Sequence, residues 1–247
     1  LVDLFYSQIV TKTVPVSSLA TAEAVKLAEN SFRTVNIALV NEMKMVFEKM
    51  DIDVWEVIKA ASTKPFGFMP FYPGPSLGGH CIPIDPFYLT WKALEYGQST
   101  QFIELAGVVN NNMPAYVIER LVAALSLHRK KAMNGAKVLL IGMAYKKNIG
   151  DMRESPSLVL LEQMENHGAL VDYYDPHVPE ITQNRAHPAL ISRKSVAWDV
   201  EAFADYDVAL ISTDHDVIDW QELVAAVPLV VDTRNATAGL TPSLLEK

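Results

Sequence analysis

The sequence of 247 residues has a single cysteine, Cys81, and lacks any hydrophobic run close to the ~18 residues of a membrane-spanning helix. One cysteine excludes an internal disulfide framework and is typical of a reducing compartment. The first ten residues, LVDLFYSQIV, have neither the basic start nor the small-residue cleavage site of a secretory signal. We therefore expect a cytoplasmic protein without a transmembrane helix.

Basic residues are also in the minority. Lys and Arg together number 21 against 29 Asp and Glu, and the formal net charge is −8 at pH 7. Because nucleic acid binding needs a positively charged face, DNA or RNA is not the expected partner. Half of the residues are hydrophobic, which favours one or two packed domains. The chain begins with Leu1 instead of methionine, as expected for a fragment of a longer protein.

The first half of the sequence has helical periodicity. After a strand or extended lead-in over 1–16, apolar residues keep helical spacing from about 22 to 50, with Ser18 or Thr21 as the N-cap. A shorter helix is predicted over 54–61. The first helix is long for a globular protein and has two apolar faces, so we expect a homodimer or a higher homo-oligomer.

Proline and glycine concentrate in residues 63–86, which predicts an ordered loop. The run DPFYLTWKALEYG that follows predicts a helix with Asp85 as its N-cap. Another helix is predicted over about 100–128, with a break or a kink at Pro114.

The second half of the sequence alternates strands with helices. Buried-strand runs occur in KVLLIGMAY, ALVDYYDP, ADYDVALIST and PLVVDTR, and SPSLVLLEQMENHG reads as the helix between the first two. This alternation predicts a doubly wound, parallel, Rossmann-like sheet. The basic, turn-like segment RKKAMNGA predicts a boundary between an all-helical domain over 1–130 and the α/β domain over 131–247.

The stretch PGPSLGGHCIPIDP places the only cysteine among glycines and prolines. A thiol near a helix N-terminus, where the helix dipole favours the thiolate, is a candidate nucleophile, and Cys81 fits that description. The alternative is a small hydrophobic residue packed beside a tight turn. A Cys–His hydrolase with His80 is disfavoured because adjacent side chains tend to point apart.

Two further clusters carry candidate chemistry. Lys26 and Asn30 share one helix face and could bind a substrate hydroxyl, although a lysine on a solvated face is the commoner arrangement. The segment IGMAYKKNIGDMRESP joins the first strand to its helix, and Lys146, Lys147 and Arg153 favour a phosphate site there. The segment lacks the G-x-G-x-x-G pattern of a dinucleotide site.

Four segments in order resemble the nucleotide-sugar 6-dehydrogenases, the UDP-glucose/GDP-mannose dehydrogenase family: AEAVKLAENSFRTVNIALVNE, PFYPGPSLGGHCIPIDPFYLTWKA, GMAYKKNIGDMRESPS and VVDTRNA. The resemblance implies oxidation of a sugar C6 alcohol to a carboxylate in two hydride transfers to NAD, through a cysteine thiohemiacetal and thioester. The wording GGHCIPIDPFYLTWKA is most similar to the bacterial branch acting on UDP-N-acetylglucosamine. That branch supplies uronic acid precursors of surface polysaccharides.

The same resemblance implies residue roles. Cys81 is similar to the nucleophile, Asp85 to the carboxylate that holds the catalytic water or base, and Lys26 with Asn30 to the pair that binds the substrate oxygen. Residues similar to those lining the sugar nucleotide are Tyr72, Pro73, Gly74, Pro75, Ser76, Leu77, Gly78, Tyr145, Lys146 and Arg234. Residues similar to NAD contacts are Arg153 and Ile82. No metal ligand is implied.

The sequence departs from the family pattern in two ways. It lacks the family's N-terminal Rossmann domain, with its NAD-binding fingerprint, its catalytic threonine and its glutamate. We therefore expect this chain alone not to reduce NAD+ at a useful rate. Ser76 stands where PGPGLGGH would have glycine. Alternatives are a dehydrogenase for UDP-linked glucose, N-acetylgalactosamine or N-acetylmannosamine, or, for this fragment, a non-catalytic dimerising module that binds a nucleotide sugar. A thiol hydrolase ranks third.

Overall fold

The computed structural model describes residues 1–182 and 185–240, together with the backbone of 245–246. The regular elements described before residue 130 are all helical. They are α1 (Val2–Tyr6), α2 (Leu19–Lys49), α3 (Val54–Ala61), α4 (Cys81–Glu95), α5 (Gln101–Ala124) and a π-helical turn (Leu125–Arg129).

Helix α2 is the long helix that the sequence predicts. The Ser18 hydroxyl accepts a hydrogen bond from the Thr21 N–H at 3.1 Å, which makes Ser18 the N-cap. The helix has 31 residues and a length of about 46 Å. The extended lead-in is wrong over Val2–Tyr6, which form one short helix. That run has no Gly or Pro, and Asp3 in its first turn suits a helix N-terminus.

Two predictions about prolines need correction. Helix α4 begins at Cys81, four residues before the predicted N-cap Asp85, since Pro83 falls in its first turn, where no N–H is needed. Helix α5 is continuous through Pro114, so of the break or kink predicted there, the break is wrong. In both helices a proline, Pro86 in α4 and Pro114 in α5, removes one internal hydrogen bond. The carbonyl left without a helical donor is bound by a residue of the candidate site, as described below.

The second half forms a five-stranded parallel sheet in the order β2-β1-β3-β4-β5. The strands are β1 (Lys137–Ile141), β2 (Leu170–Tyr174), β3 (Val208–Ile211), β4 (Val230–Asp232) and β5 (Leu245–Glu246). The helices are α6 (Pro156–Asn166), α7 (Val200–Phe203) and α8 (Trp220–Ala226), with a 3₁₀ turn at Pro188–Leu190. The sheet reverses its order between β1 and β3, the topological switch point where α/β proteins bind ligands.

The core is built on both faces of β1. Val138 and Leu140 pack in one fully buried cluster, and Leu139 and Ile141 pack in another on the opposite face. The first cluster includes Leu121 of α5. The packing therefore crosses the predicted domain boundary at 130/131, which stays a prediction.

Among the described residues, no helix combines the length and the apolar character needed to cross a membrane.

Candidate functional site

The N-terminus of α4 is held against α2 by two hydrogen bonds. The Asn30 Nδ2 donates to Asp85 Oδ2 at 2.7 Å, and the Thr34 hydroxyl donates to the Ile82 carbonyl at 3.0 Å. Pro86 explains the second bond, because an N–H at position 86 would normally donate to the carbonyl of residue 82. Thr34 takes over that carbonyl and ties the two helices together.

This arrangement leaves Cys81 exposed as the first residue of α4. The structure therefore does not support the alternative of a buried packing cysteine. The N–H groups of a first helical turn have no partner within the helix, and their dipole favours negative charge. Lys26 is exposed one turn before Asn30 on α2. Asn30 of the predicted pair thus contacts α4 through Asp85, and Lys26 is exposed on the same face of α2.

The loop before Cys81 is anchored by a chain of buried amides. Asn41 Oδ1 accepts from the Gly74 N–H at 3.0 Å, and Asn41 Nδ2 donates to Asn110 Oδ1 at 2.9 Å. Asn110 Nδ2 donates in turn to the Thr34 carbonyl at 3.2 Å. Both asparagines are buried, so each bond also satisfies a polar group that would otherwise be costly to desolvate.

Ser76 has a strained backbone, and its side chain makes a hydrogen bond that offsets the strain. Its φ is +149°, a region that glycine populates far more readily than other residues. Its hydroxyl donates at 2.9 Å to the Asn110 carbonyl, the one that Pro114 leaves without a helical donor. A serine at this position thus replaces the bond that the proline in α5 removes.

A double-mutant cycle tests this pairing. We expect Ser76→Ala to lower the free energy of unfolding by about 1–2 kcal/mol, because it keeps the strain and leaves a buried carbonyl unsatisfied. In a Pro114→Ala background the helix supplies that N–H, so the same substitution should cost under ~0.5 kcal/mol. Urea unfolding of the four proteins measures the coupling, and an equal cost in both backgrounds would contradict it.

Two glycines let the loop touch the sheet half of the molecule. A Cβ on Gly78 would lie 2.4 Å from the Cβ of Tyr145, and the Gly79 N–H donates to the Arg153 carbonyl at 2.9 Å. Gly79 has a φ of +82° and lies under the Tyr145 ring. The glycine pair is therefore required by this close approach.

The loop and the sheet together line an open pocket of about 550 Å³, a volume that includes the solvent-exposed space at its mouth. All the predicted substrate-lining residues border it except Pro73 and Pro75, which are buried within the loop. Ile82 also lines it, as does Ile37 of α2, which the sequence did not single out. The structure thus brings together segments that are far apart in the chain.

Arg234 supplies a charge at this pocket. Its Nε donates to the Ser212 carbonyl at 2.7 Å, and its Nη1 lies 2.6 Å from where a Cβ on Gly74 would stand. Burial lowers the pKa of the guanidinium, against the opposing effect of Asp214 and Asp232. Arginine keeps its charge at neutral pH even so. The group is therefore placed to bind a phosphate.

The first turn after β1 cannot serve as the predicted phosphate site. The N–H groups of Met143 and Ala144 donate to Asp175 Oδ2 at 2.6 and 2.8 Å, so a carboxylate of the protein already occupies them. Lys147 pairs with Asp216 at 2.9 Å, and Arg153 pairs with Asp151 at 2.6 Å. Of the three cations predicted there, Lys146 is the one that lines the pocket.

The same finding bears on NAD. Because Asp175 fills the anion-binding turn, the described part of the sheet does not fit a dinucleotide pyrophosphate. Arg153 is exposed and lies near enough to Cys81 for their charges to interact. Arg153 and Ile82 can at most contact a cofactor held elsewhere. Within residues 1–182 and 185–240, no group of three or more His, Cys, Asp or Glu is placed to hold a metal ion.

Comparisons with known proteins agree with this geometry. Residues 20–112 match the central domain of the UDP-glucose/GDP-mannose dehydrogenase family, and residues 139–239 match its UDP binding domain. This chain belongs to that family. The family resemblance inferred from the sequence is thereby confirmed.

Comparison with individual relatives shows how much of their length this chain spans. The chain is 43% identical over 179 residues to a UDP-N-acetyl-D-glucosamine 6-dehydrogenase of Pseudomonas aeruginosa, which covers 72% of the chain and 42% of the relative. It is 35% identical over 240 residues to a UDP-N-acetyl-D-mannosamine dehydrogenase of Methanococcus maripaludis, which covers 91% and 52%. This chain thus spans about half the length of these relatives.

A solved structure supports the fold directly. The UDP-D-ManNAc dehydrogenase of Pyrococcus horikoshii superposes with a TM-score of 0.83 at 28% identity, over 99% of this chain and 56% of that one. The mixed helical and parallel-sheet fold is therefore that of nucleotide-sugar dehydrogenases.

Sequence reasoning missed the residues that hold the site in place. Thr34, Asn41 and Asn110 act on partners 33 to 76 positions away, and nothing in their local sequence marks them. The proline inside each helix was a usable signal. Pro86 and Pro114 have no N–H, so the carbonyl four residues before each of them needs a hydrogen-bond donor from outside the helix.

Proposed function

We propose that this chain is the part of an NAD-dependent UDP-N-acetylglucosamine 6-dehydrogenase that binds the sugar nucleotide and carries the nucleophile. One observation carries the proposal. The loop leading to Cys81 and the segment with Tyr145 and Lys146 line a single pocket together with Arg234. A nucleotide sugar bound there would reach from the arginine of the sheet to the thiol at the start of α4.

The chain's own residues account for the thiol chemistry. The Cys81 sulfur adds to the C6 aldehyde of the sugar, so that one S–C bond forms and the thiol proton passes to the aldehyde oxygen. Lys26, exposed one turn before Asn30, donates to that oxygen, while the Asn30 amide, which is fully buried, holds Asp85 instead of reaching the substrate as the sequence implied. Asp85, half-buried one turn after Cys81, is placed to hold water for the later hydrolysis. NAD, held by another part of the protein, would accept the hydrides.

The choice of sugar follows the relative with the higher identity of the two described above. The relative with 43% identity acts on UDP-N-acetyl-D-glucosamine, as its name states. The longer alignment, at 35% identity, is with an enzyme for UDP-N-acetyl-D-mannosamine, which makes that sugar the second candidate. We place the reaction in the cytoplasmic synthesis of a surface polysaccharide precursor. For this chain by itself, binding without turnover is the expected behaviour.

Helix α2 supports the homodimer within this proposal. Val25, Phe32, Leu39 and Val46 recur every seven residues and are each about half exposed, at 47, 51, 53 and 49%. Residues seven positions apart lie on nearly the same face of a helix, so this exposed apolar stripe is available to a second copy of the chain. Sedimentation of the chain checks it, because a strictly monomeric protein would exclude this interface.

Alkylation of the single thiol tests the placement of Cys81. We expect saturating UDP-N-acetylglucosamine to slow modification by iodoacetamide at least about fivefold, since the sugar end would cover the sulfur. UDP alone, which ends before the sugar, is the matched control and should protect much less. Intact mass reports the modification of Cys81 without ambiguity because the chain has one cysteine. Equal rates with and without the saturating sugar nucleotide would place Cys81 outside the site.

A further inference from the structure

A buried histidine and aspartate lie behind the pocket. His215 and Asp175 are 0% and 3% exposed, and Asp175 Oδ2 lies 3.0 Å from His215 Nε2. They follow β3 and β2, and neither lines the pocket. Asp175 accepts further bonds from the backbone N–H groups of His177 and Val178 at 2.7 and 3.0 Å. So many bonds from a buried pair indicate a purpose beyond filling space.

The hydrogen bonds define which nitrogen of His215 carries the proton. The Asn148 N–H points at His215 Nδ1 at 3.0 Å, so Nδ1 must present a lone pair. The proton is then on Nε2, which donates to Asp175. The imidazole is neutral in this arrangement. A second proton on Nδ1 would face the Asn148 N–H donor to donor and break that bond.

The pair holds both ends of one pocket segment. Asp175 binds the N–H groups of Met143 and Ala144, just before Tyr145 and Lys146. His215 binds the N–H of Asn148, just after them. Asn148 has a φ of +63°, a left-handed conformation that needs such support. The two pocket residues Tyr145 and Lys146 thus lie between backbone N–H groups that are bound by Asp175 on one side and by His215 on the other.

We propose that Asp175 and His215 are a positioning pair that holds the Tyr145–Lys146 segment in its ligand-binding conformation, with His215 required in its neutral form. The proposal rests on the proposed function for the ligand, a UDP-sugar, but not for the conformation. Loss of the His215 acceptor frees the backbone N–H of Asn148, whose side chain stays bonded to Asp216, so the segment loosens and binding weakens.

Several charged groups act on His215. Asp175 contacts it directly, Asp214 and Asp216 lie on its own segment, and Lys147 pairs with Asp216. The His177 ring contacts it with ring centres 4.9 Å apart. Burial raises the pKa of Asp175, but the bonds from His215, Ala144 and His177 outweigh this and hold it below its usual value. Asp175 therefore stays charged, and its contribution to stability disappears only as the pH falls through that lowered pKa.

Two substitutions separate the two bonds of His215. In His215→Asn, the amide oxygen takes the place of Nδ1 and keeps the bond to Asn148, and the side chain cannot be protonated. In His215→Gln, the amide N–H reaches toward Asp175, but the acceptor for Asn148 is lost. We expect the Kd of UDP-N-acetylglucosamine at pH 7.5 to rise about tenfold in the glutamine variant and less than about threefold in the asparagine variant.

The comparison of the two variants gives a readout that a purely structural role would not move. A loss of binding in His215→Gln that is restored in His215→Asn assigns the effect to the acceptor for the Asn148 N–H. UDP-N-acetylglucosamine is the probe in both titrations. Thermal unfolding of each variant shows whether it is folded.

Amide exchange decides the matter independently of the ligand. The Asn148 amide should exchange at least about tenfold faster in His215→Gln than in wild type or His215→Asn. If wild type binds no UDP-sugar, the proposed function fails, and this exchange rate still tests the pair. Wild-type exchange of Asn148 in His215→Gln would overturn the proposal, as would an NMR spectrum with the His215 proton on Nδ1.

Discussion

Gly78→Ala is expected to lower the free energy of unfolding by about 3 kcal/mol and the melting temperature by roughly 6–12 °C. The new methyl would stand 2.4 Å from the Tyr145 Cβ and 3.2 Å from the Glu154 carbonyl oxygen. These are a side-chain stem and a backbone atom, so rotating a side chain cannot make room. The loop must instead separate from the sheet, which also opens the pocket. Thermal and urea unfolding measure the loss.

Gly67→Ala is the matched control for that change. Gly67 lies in the same Pro- and Gly-rich loop with a φ of +81°, but a Cβ there would have no neighbour within 4 Å. Its cost should be limited to backbone strain of about 1 kcal/mol. If the two substitutions destabilise the protein equally, the contact between Gly78 and Tyr145 does not hold the two halves together.

Arg234→Met is expected to weaken binding of UDP-N-acetylglucosamine about 100-fold. A charge-assisted, bidentate bond to a phosphate contributes ~1.5–3 kcal/mol, and methionine keeps much of the volume without the charge. The Ser212 carbonyl orients the guanidinium through Nε, so its two terminal nitrogens can face the pocket. Calorimetric titration of the variant against wild type measures the difference.

Arg153→Met is the control for the loss of one positive charge. Arg153 is exposed, pairs with Asp151 and does not line the pocket. Its replacement should change the Kd of the UDP-sugar less than about twofold, as expected for a solvent-exposed charge. An equal loss in both variants would mean that net charge, and not the position of Arg234, attracts the ligand. Unchanged binding in Arg234→Met would remove this arginine from the site.

Local sequence patterns were sufficient for much of the fold. The 3.6-residue spacing from Ala24 onward predicted α2, and the alternation of strands with helices predicted the parallel sheet. The start of α4 was misplaced because Asp85 looks like an N-cap, whereas it lies in the second turn and binds Asn30. A capping pattern does not show whether a carboxylate is needed by its own helix or by a neighbouring one.

The candidate site could be predicted in its parts but not in its construction. The loop from Tyr72 to Gly78 is recognisable from its composition and its family resemblance. The occupation of the β1 turn by Asp175 is not, because it depends on a contact across 31 and 32 positions. A basic segment at a strand end indicates phosphate binding only if its backbone N–H groups have no partner within the protein. Whether they have one depends on the fold and not on the local sequence.

Calorimetric titration of the 247-residue chain tests most directly whether the pocket is a site for UDP-sugars. UDP-N-acetylglucosamine should bind at one site per chain, more tightly than UDP-N-acetylmannosamine and much more tightly than GDP-mannose. No measurable binding of any UDP-sugar, or equal binding of GDP-mannose, would contradict this assignment of the pocket.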